Sequence, residues 1–275
     1  MKIVTLLENR TESKALKNKH GLSLYIETND IKVVFDTGPD ETFIENARKL
    51  GIDISDVDLL VISHGHKDHG GGLEAFINTN DKAKIIASKY AFDKYYARVS
   101  KLLKVDIGLN PTFMNHERVQ LIEGLTDLDN GMFIFDGVKS NKLLPSSNKK
   151  LLMKDESGLV EDDFKHEINL IISEGDNKSL ICGCSHLGIS NIIDKAKDLI
   201  QGNINTVVGG MHLYDPIGKK YESEEFINNL GETLLSNGVN NYYTCHCTGE
   251  KAYSLLKAQM GDKINELKTG KTIML

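Results

Sequence analysis

Apolar positions along the chain change period several times, and the change points outline an alternating α/β protein. Lys2–Leu7, Leu22–Glu27 and Ile31–Phe35 are short apolar or β-branched runs, separated by Gly21 and by the turn pair Asn29-Asp30. They predict three early strands. Phe43, Ile44, Ala47 and Leu50 form one stripe at helical spacing, which predicts a helix over Glu41–Leu50. Val57–Ile62 is an apolar run of strand length and reads as a strand buried on both faces. Lys84–Ala87 is a further short strand. Between Ser88 and Glu161 the pattern loosens, with strand-like runs only at Arg118–Ile122 and Met132–Phe135. Regular spacing then returns. Glu167–Ser173 and Ser179–Cys182 flank a turn at Glu174-Gly-Asp-Asn177, and Ile189, Ile192, Ile193, Ala196, Leu199 and Ile200 fall on one helix face. A strand at Asn205–Val208, a helix at Glu222–Leu235, a strand at Val239–Tyr243 and a helix at Glu250–Met260 complete the alternation. The expectation is a single domain over residues 1–275, with 88–161 inserted in it as a small α+β lid.

Composition narrows the function classes. A hydrophobic fraction of 40% and a charged fraction of 26% suit a globular chain with a real core. The 33 Lys and Arg are outnumbered by 39 Asp and Glu, for a net charge of −6. No global positive field is available to attract nucleic acid or an anionic membrane. The N-terminal apolar run is too short for a signal peptide, and no stretch approaches the length of a membrane span. The expected setting is the cytoplasm and the expected partner a small molecule, with a homodimer possible. The four cysteines form two closely spaced pairs, Cys182/Cys184 and Cys245/Cys247, unlike the dispersed cysteines of a disulfide framework.

The chemistry concentrates in Ser63-His-Gly-His-Lys-Asp-His-Gly-Gly-Gly72, directly after the buried strand. A strand ending in a Gly-rich loop presents side chains at the sheet edge where α/β proteins bind ligands. His64 and His66 are two apart, so an extended chain points both the same way. Asp68 and His69 follow on the returning turn. Three imidazoles and a carboxylate form the borderline donor set that suits zinc, iron or manganese.

At these residues the chain resembles the metallo-β-lactamase fold superfamily. The H-x-H-x-D-H pattern of His64, His66, Asp68 and His69 looks like its metal signature, and Phe35-Asp-Thr-Gly38 resembles its first motif. Cys182-Gly-Cys-Ser-His-Leu-Gly-Ile189, Gly209-Gly-Met-His-Leu213 and His246-Cys-Thr-Gly249 resemble one branch of it. That branch includes the archaeal dihydropterin–ribofuranosylaminobenzene phosphate synthase and many uncharacterised bacterial relatives. The resemblance implies a four-layer αβ/βα sandwich. It also implies two divalent metal ions, Zn2+ first with Mn2+ or iron as alternatives, at one end of the sheets. His64, His66, Asp68, His69, His186 and His246 would be the ligands. For the third ligand of the first site, His186 is preferred, because alternation aligns it with Cys182 and Cys184; Asp162, Asp163 and His166 are the alternatives. Cys184 stands roughly where the superfamily has a bridging Asp. Strict alternation would turn either His246 or its cysteine neighbours toward the metals, and the resemblance favours His246. His212 reads as a general acid or a supporting residue, and Asp68 as both ligand and proton acceptor. His20 and His116 have no supporting context and read as surface residues.

Three functions compete. The first is a hydrolase using a metal-activated hydroxide on an ester, phosphoester or lactone. The second is a metal-dependent transferase acting on a pterin-like diphosphate. The third is a non-catalytic metal or redox sensor built on the cysteine pairs. A flavin-partnered di-iron oxygen reductase is disfavoured, since His66 stands where that branch has Glu. Tyr90, Tyr95 and Tyr96, with Lys89, Lys94 and Arg98, would offer rings and cations to an anionic substrate from the lid.

Overall fold

Leu59 and Val61 point to one side of the strand Leu59–Ile62, and Leu60 and Ile62 to the other. All four are buried, because each face has its own core. This strand lies within a seven-stranded sheet, in the order Thr272–Met274, Lys2–Leu7, Ser23–Glu27, Lys32–Phe35, Leu59–Ile62, Lys84–Ser88, Val119–Ile122. Its last four strands run parallel and the others pair antiparallel. A second seven-stranded sheet has the order Ile264–Glu266, Asn241–Thr244, Thr206–Gly209, Asn177–Ile181, Asn169–Glu174, Met132–Phe135, Thr126–Asp127. There the first four run parallel. These assignments come from a computed structural model that describes all 275 residues.

The two sheets pack face to face through a cluster that takes Phe35, Val61 and Ile86 from the first and Ile134, Leu170 and Val208 from the second. On the outer face of the first sheet, Phe43 and Ala47 of the helix Thr42–Lys49 and Phe76 of the helix Leu73–Thr79 cover Val34, Leu60 and Ile85. On the outer face of the second, the helices Ile189–Ile200, Glu224–Ser236 and Glu250–Met260 cover Leu180, Val207 and Tyr242. The result is the expected αβ/βα four-layer sandwich. No helix is long and apolar enough to cross a membrane.

The stretch 88–161 divides. Val119–Ile122 and Met132–Phe135 are strands of the two main sheets. Tyr95–Arg98, Lys104–Asp106, Leu151–Asp155 and Gly158–Glu161 form a separate four-stranded sheet. The inserted sheet is therefore made of two stretches, and the chain between them helps to build the sandwich. The small sheet is tied directly to the histidine loop, since Lys67 N donates to Ile107 O at 2.7 Å and His66 bridges Gly108.

Far from the histidine loop, at the N-terminal ends of the parallel strands, Asn80 is fully buried. Its amide nitrogen donates to the carbonyls of Ile54, Ser55 and Val57, and its oxygen accepts from the N–H groups of Lys82 and Ala83. Asn80→Ala would leave these groups without partners and should cost about 2–3 kcal/mol. Urea unfolding should show a lower midpoint with an unchanged slope. A loss below about 0.5 kcal/mol, the level of an ordinary surface change, would contradict this account of the knot.

Candidate metal centre

The parallel strands of both sheets end at the same edge, and the histidine-bearing loops follow them. Alternation does not carry the side chains there; bent backbone does. Asp36, Phe164, Ser185, His212 and His246 all adopt positive φ, between 47° and 62°. Such conformations are costly for residues with a Cβ and cluster at functional sites. After Ile181 the strand has ended, so Cys182, Cys184 and His186 do not share a face as expected. Cys182 joins the helix-side core, while Cys184 and His186 reach the centre. Likewise His246 and Cys247 both face the centre, and Cys245 lies in the core between the sheets. The expected choice between histidine and thiols does not arise, because the chain leaves the strand after Thr244.

His64, His66 and His186 bring ring nitrogens within 4.8 Å of one another. Two ring nitrogens and a sulfur from His64, His69 and Cys184 lie equally close, as do two ring nitrogens and a carboxylate oxygen from His20, His246 and Asp68. The tautomers follow from the partners. Ser63 Oγ donates to Asp36 Oδ2 at 2.7 Å, so at 2.8 Å it accepts from His64 Nδ1. His69 Nδ1 donates to Asp36 Oδ2 at 2.6 Å. His186 Nδ1 lies 3.2 Å from Asn148 Oδ1, whose amide is oriented by donation to His186 O at 2.8 Å. His246 Nδ1 lies 2.8 Å from Asn9 Oδ1, and Asn9 Nδ2 donates to His246 O. All four rings thus turn a proton outward and a lone pair, on Nε2, inward. His64, His66 and His186 have no hydrogen-bond partner on Nε2. His69 Nε2 stands 3.2 Å from His246 Nε2, which is 3.2 Å from Asp68 Oδ2.

Converging lone pairs beside a carboxylate require positive charge between them, which is the test that a metal centre must pass. Burial and neighbouring imidazoles hold His64 and His186 far below the ordinary histidine pKa, in the neutral form that ligates. Burial opposes charge on Asp68, but His69, His20 and His246 outweigh it and keep its carboxyl well below the usual range. Burial also opposes charge on His69, yet Asp36 and Asp68 raise it to about 9.

The alternatives for the third ligand are hydrogen-bonded within the protein, although ligand atoms of His66, Asp162 and His166 also lie within 4.8 Å of one another. His166 Nδ1 accepts from Gly65 N at 2.9 Å, so its Nε2 carries the proton and donates to Asp162 Oδ2 at 3.1 Å. Both nitrogens are engaged, and the pair braces the loop beside His66, whose Nε2 is 3.8 Å from Asp162. Asp163 pairs with Lys165 away from the centre. Gly65 is required here, because a Cβ would lie 2.5 Å from Ala91 O and 2.6 Å from the Tyr95 ring.

Several supporting residues escaped the sequence reading. Glu8, buried, accepts from His246 N at 2.6 Å and Arg10 N at 2.7 Å. Glu167, fully buried, accepts from the N–H groups of His186 and Leu187. Nothing in the local sequence marks Glu8, whereas Glu167 directly follows His166, one of the alternative ligands. His20 is corrected as well. It is half-exposed but holds Asp68 through Nε2 at 3.2 Å, with its ring 4.7 Å from that of His246.

A cleft of about 450 Å³ opens over these residues, lined also by Lys67, Ile107, Lys150, His212 and Ile217. The tyrosine cluster does not line it. Tyr95 is buried under the histidine loop, donating to Tyr90 O, while Tyr90 pairs with Glu123 and packs under Lys89. Where tyrosines were expected, Ala97, Ile107 and Lys150 line the cleft.

A sequence profile of the metallo-beta-lactamase superfamily matches residues 17–145. The chain is 30% identical to 7,8-dihydropterin-6-methyl-4-(beta-D-ribofuranosyl)-aminobenzene-5'-phosphate synthase of Methanocaldococcus jannaschii, over 99% of this chain and 96% of that one. An uncharacterized protein of the same organism is 28% identical over 92% of this chain and 93% of its own. A solved metal-dependent hydrolase of the beta-lactamase superfamily aligns with a TM-score of 0.84 at 27% identity, covering 100% of this chain and 99% of the other. With the histidine motif inside the matched region and a relative aligned along both lengths, the chain belongs to the metallo-β-lactamase superfamily.

Proposed function

We propose that the protein is a metal-dependent hydrolase of a small anionic ester, phosphoester or lactone. The observation that carries this reading is the set of inward Nε2 lone pairs at the floor of an open cleft. His64, His66 and His186 would hold one divalent ion, and Asp68, His69 and His246 a second, with zinc the best match to the donors. Bound there, the ions would supply Lewis acidity and a water that ionises near neutral pH. Asp68 is the carboxylate of the group that remains partly open to the cleft, and with its pKa held low it would pass a proton on during attack rather than keep it. His20 beside it offers that proton a route to solvent. Lys67 and Lys150 at the rim would favour an anionic substrate.

A second reading has its own support. The 30% identity to a synthase spans nearly both chains, which favours transfer of a pterin-like group from a diphosphate to a carbon nucleophile. In that case the ions would neutralise the departing diphosphate, and water would have to be kept out.

Three outcomes are expected. His64→Ala combined with His186→Ala should lower bound metal, measured by elemental analysis, by about one ion per chain while the circular dichroism stays native; unchanged metal would refute the assignment. Asn148→Ala should weaken metal affinity by about 10–100-fold, the usual effect of losing a partner that orients a ligand histidine. Competition with a chromophoric chelator reads this directly. The metal-loaded protein should turn over an ester, lactone or phosphodiester with incorporation of label from 18O-water. No labelled product, together with label-free consumption of a pterin diphosphate, would favour the transferase.

A further inference from the structure

The proposed histidine centre does not use the sulfur pair beside it. Cys184 Sγ, Cys247 Sγ and a ring nitrogen of His212 lie within 4.8 Å of one another. The three residues are only 3%, 3% and 7% exposed. Neither ring nitrogen of His212 has a hydrogen-bond partner, an expensive state for a buried imidazole unless a ligand satisfies it. The sulfurs are selectively placed, since the other member of each cysteine pair lies in an apolar core.

The backbone is shaped around this point. His212 sits at φ 47°, and its N–H donates to Cys247 Sγ at 3.2 Å. A Cβ on Gly210 would come within 2.5 Å of the same sulfur, so glycine is needed for the approach.

We propose that Cys184, Cys247 and His212 form a separate binding site for one thiophilic cation, zinc in the first instance. Two sulfurs and an imidazole select zinc or copper(I) over magnesium or calcium, and three protein ligands leave one position open. That position faces the cleft, which all three residues line. Binding would release the two thiol protons to water. Cys184 Sγ is also 3.2 Å from His69 Nε2, so its sulfur borders both sites. The proposal does not depend on what reaction the histidine centre performs. It reassigns His212 from general acid to ligand.

Titration of the metal-free protein with cobalt(II), followed by the near-ultraviolet thiolate-to-cobalt absorption, tests it. The band should grow to saturation in the unaltered protein. Cys247→Ser or His212→Gln should remove at least half of it and one cobalt ion per chain, whereas His64→Ala should leave it standing while cobalt is lost from the histidine centre. A saturated protein with no thiolate band would overturn the proposal. So would a Cys247→Ser variant with the full band and stoichiometry, because Cys184 would then serve the histidine centre alone. Zinc-edge X-ray absorption of the unaltered protein needs no variant to fold. Two sulfur neighbours per chain at about 2.3 Å are expected, and one or none would overturn the assignment.

Discussion

The arrangement depends on where four imidazole protons go. His64, His69, His186 and His246 each give the Nδ1 proton to an oxygen outside the ring cluster: Ser63, Asp36, Asn148 and Asn9. With those protons fixed outward, the Nε2 lone pairs must converge, and their mutual repulsion makes the interior a trap for positive charge. The tautomers are fixed by neighbours in four different segments of the chain, so the electronic character of the centre is a property of the whole fold. Asp36 has the widest reach. It accepts from Ser63 N, Ser63 Oγ and His69 Nδ1, linking the end of one strand to both sides of the histidine loop.

The sandwich supplies the edge at which this can happen. Parallel strands bring their C-terminal ends level, and the two sheets meet so that loops from both reach one point. The final placement is made by left-handed residues, which turn side chains off the alternating pattern of the strands they follow. Two buried carboxylates, Glu8 and Glu167, hold the backbones of His246 and His186 from behind.

Most of the sandwich was legible in the sequence because its strands and helices bury both or one of their faces, which leaves a clean period. The helices Ile189–Ile200 and Glu250–Met260 appear where the pattern places them. The terminal strands Ile264–Glu266 and Thr272–Met274 were missed, since three residues carry too little pattern to read. At the centre, the dense motif around His64 was legible because its residues are close in sequence. Asn9, Asn148 and Glu8 were not, because each meets its histidine across 38 residues or more. Period-two reasoning misplaced Cys182 and Cys247 for one reason: it assumes extended chain where the backbone bends.

The short helical turn Ser146–Lys150 belongs to the roof of the cleft, yet its Asn148 fixes the ring of His186 below. Roof loops are where enzymes of shared architecture diversify. In this protein, a change in that turn would alter what fits into the cleft and, in the same step, the basicity of a nitrogen on its floor. Evolution of new specificity is thereby constrained: any replacement turn must carry an oxygen at the same place, or the acquisition of a new substrate comes with a weakened centre.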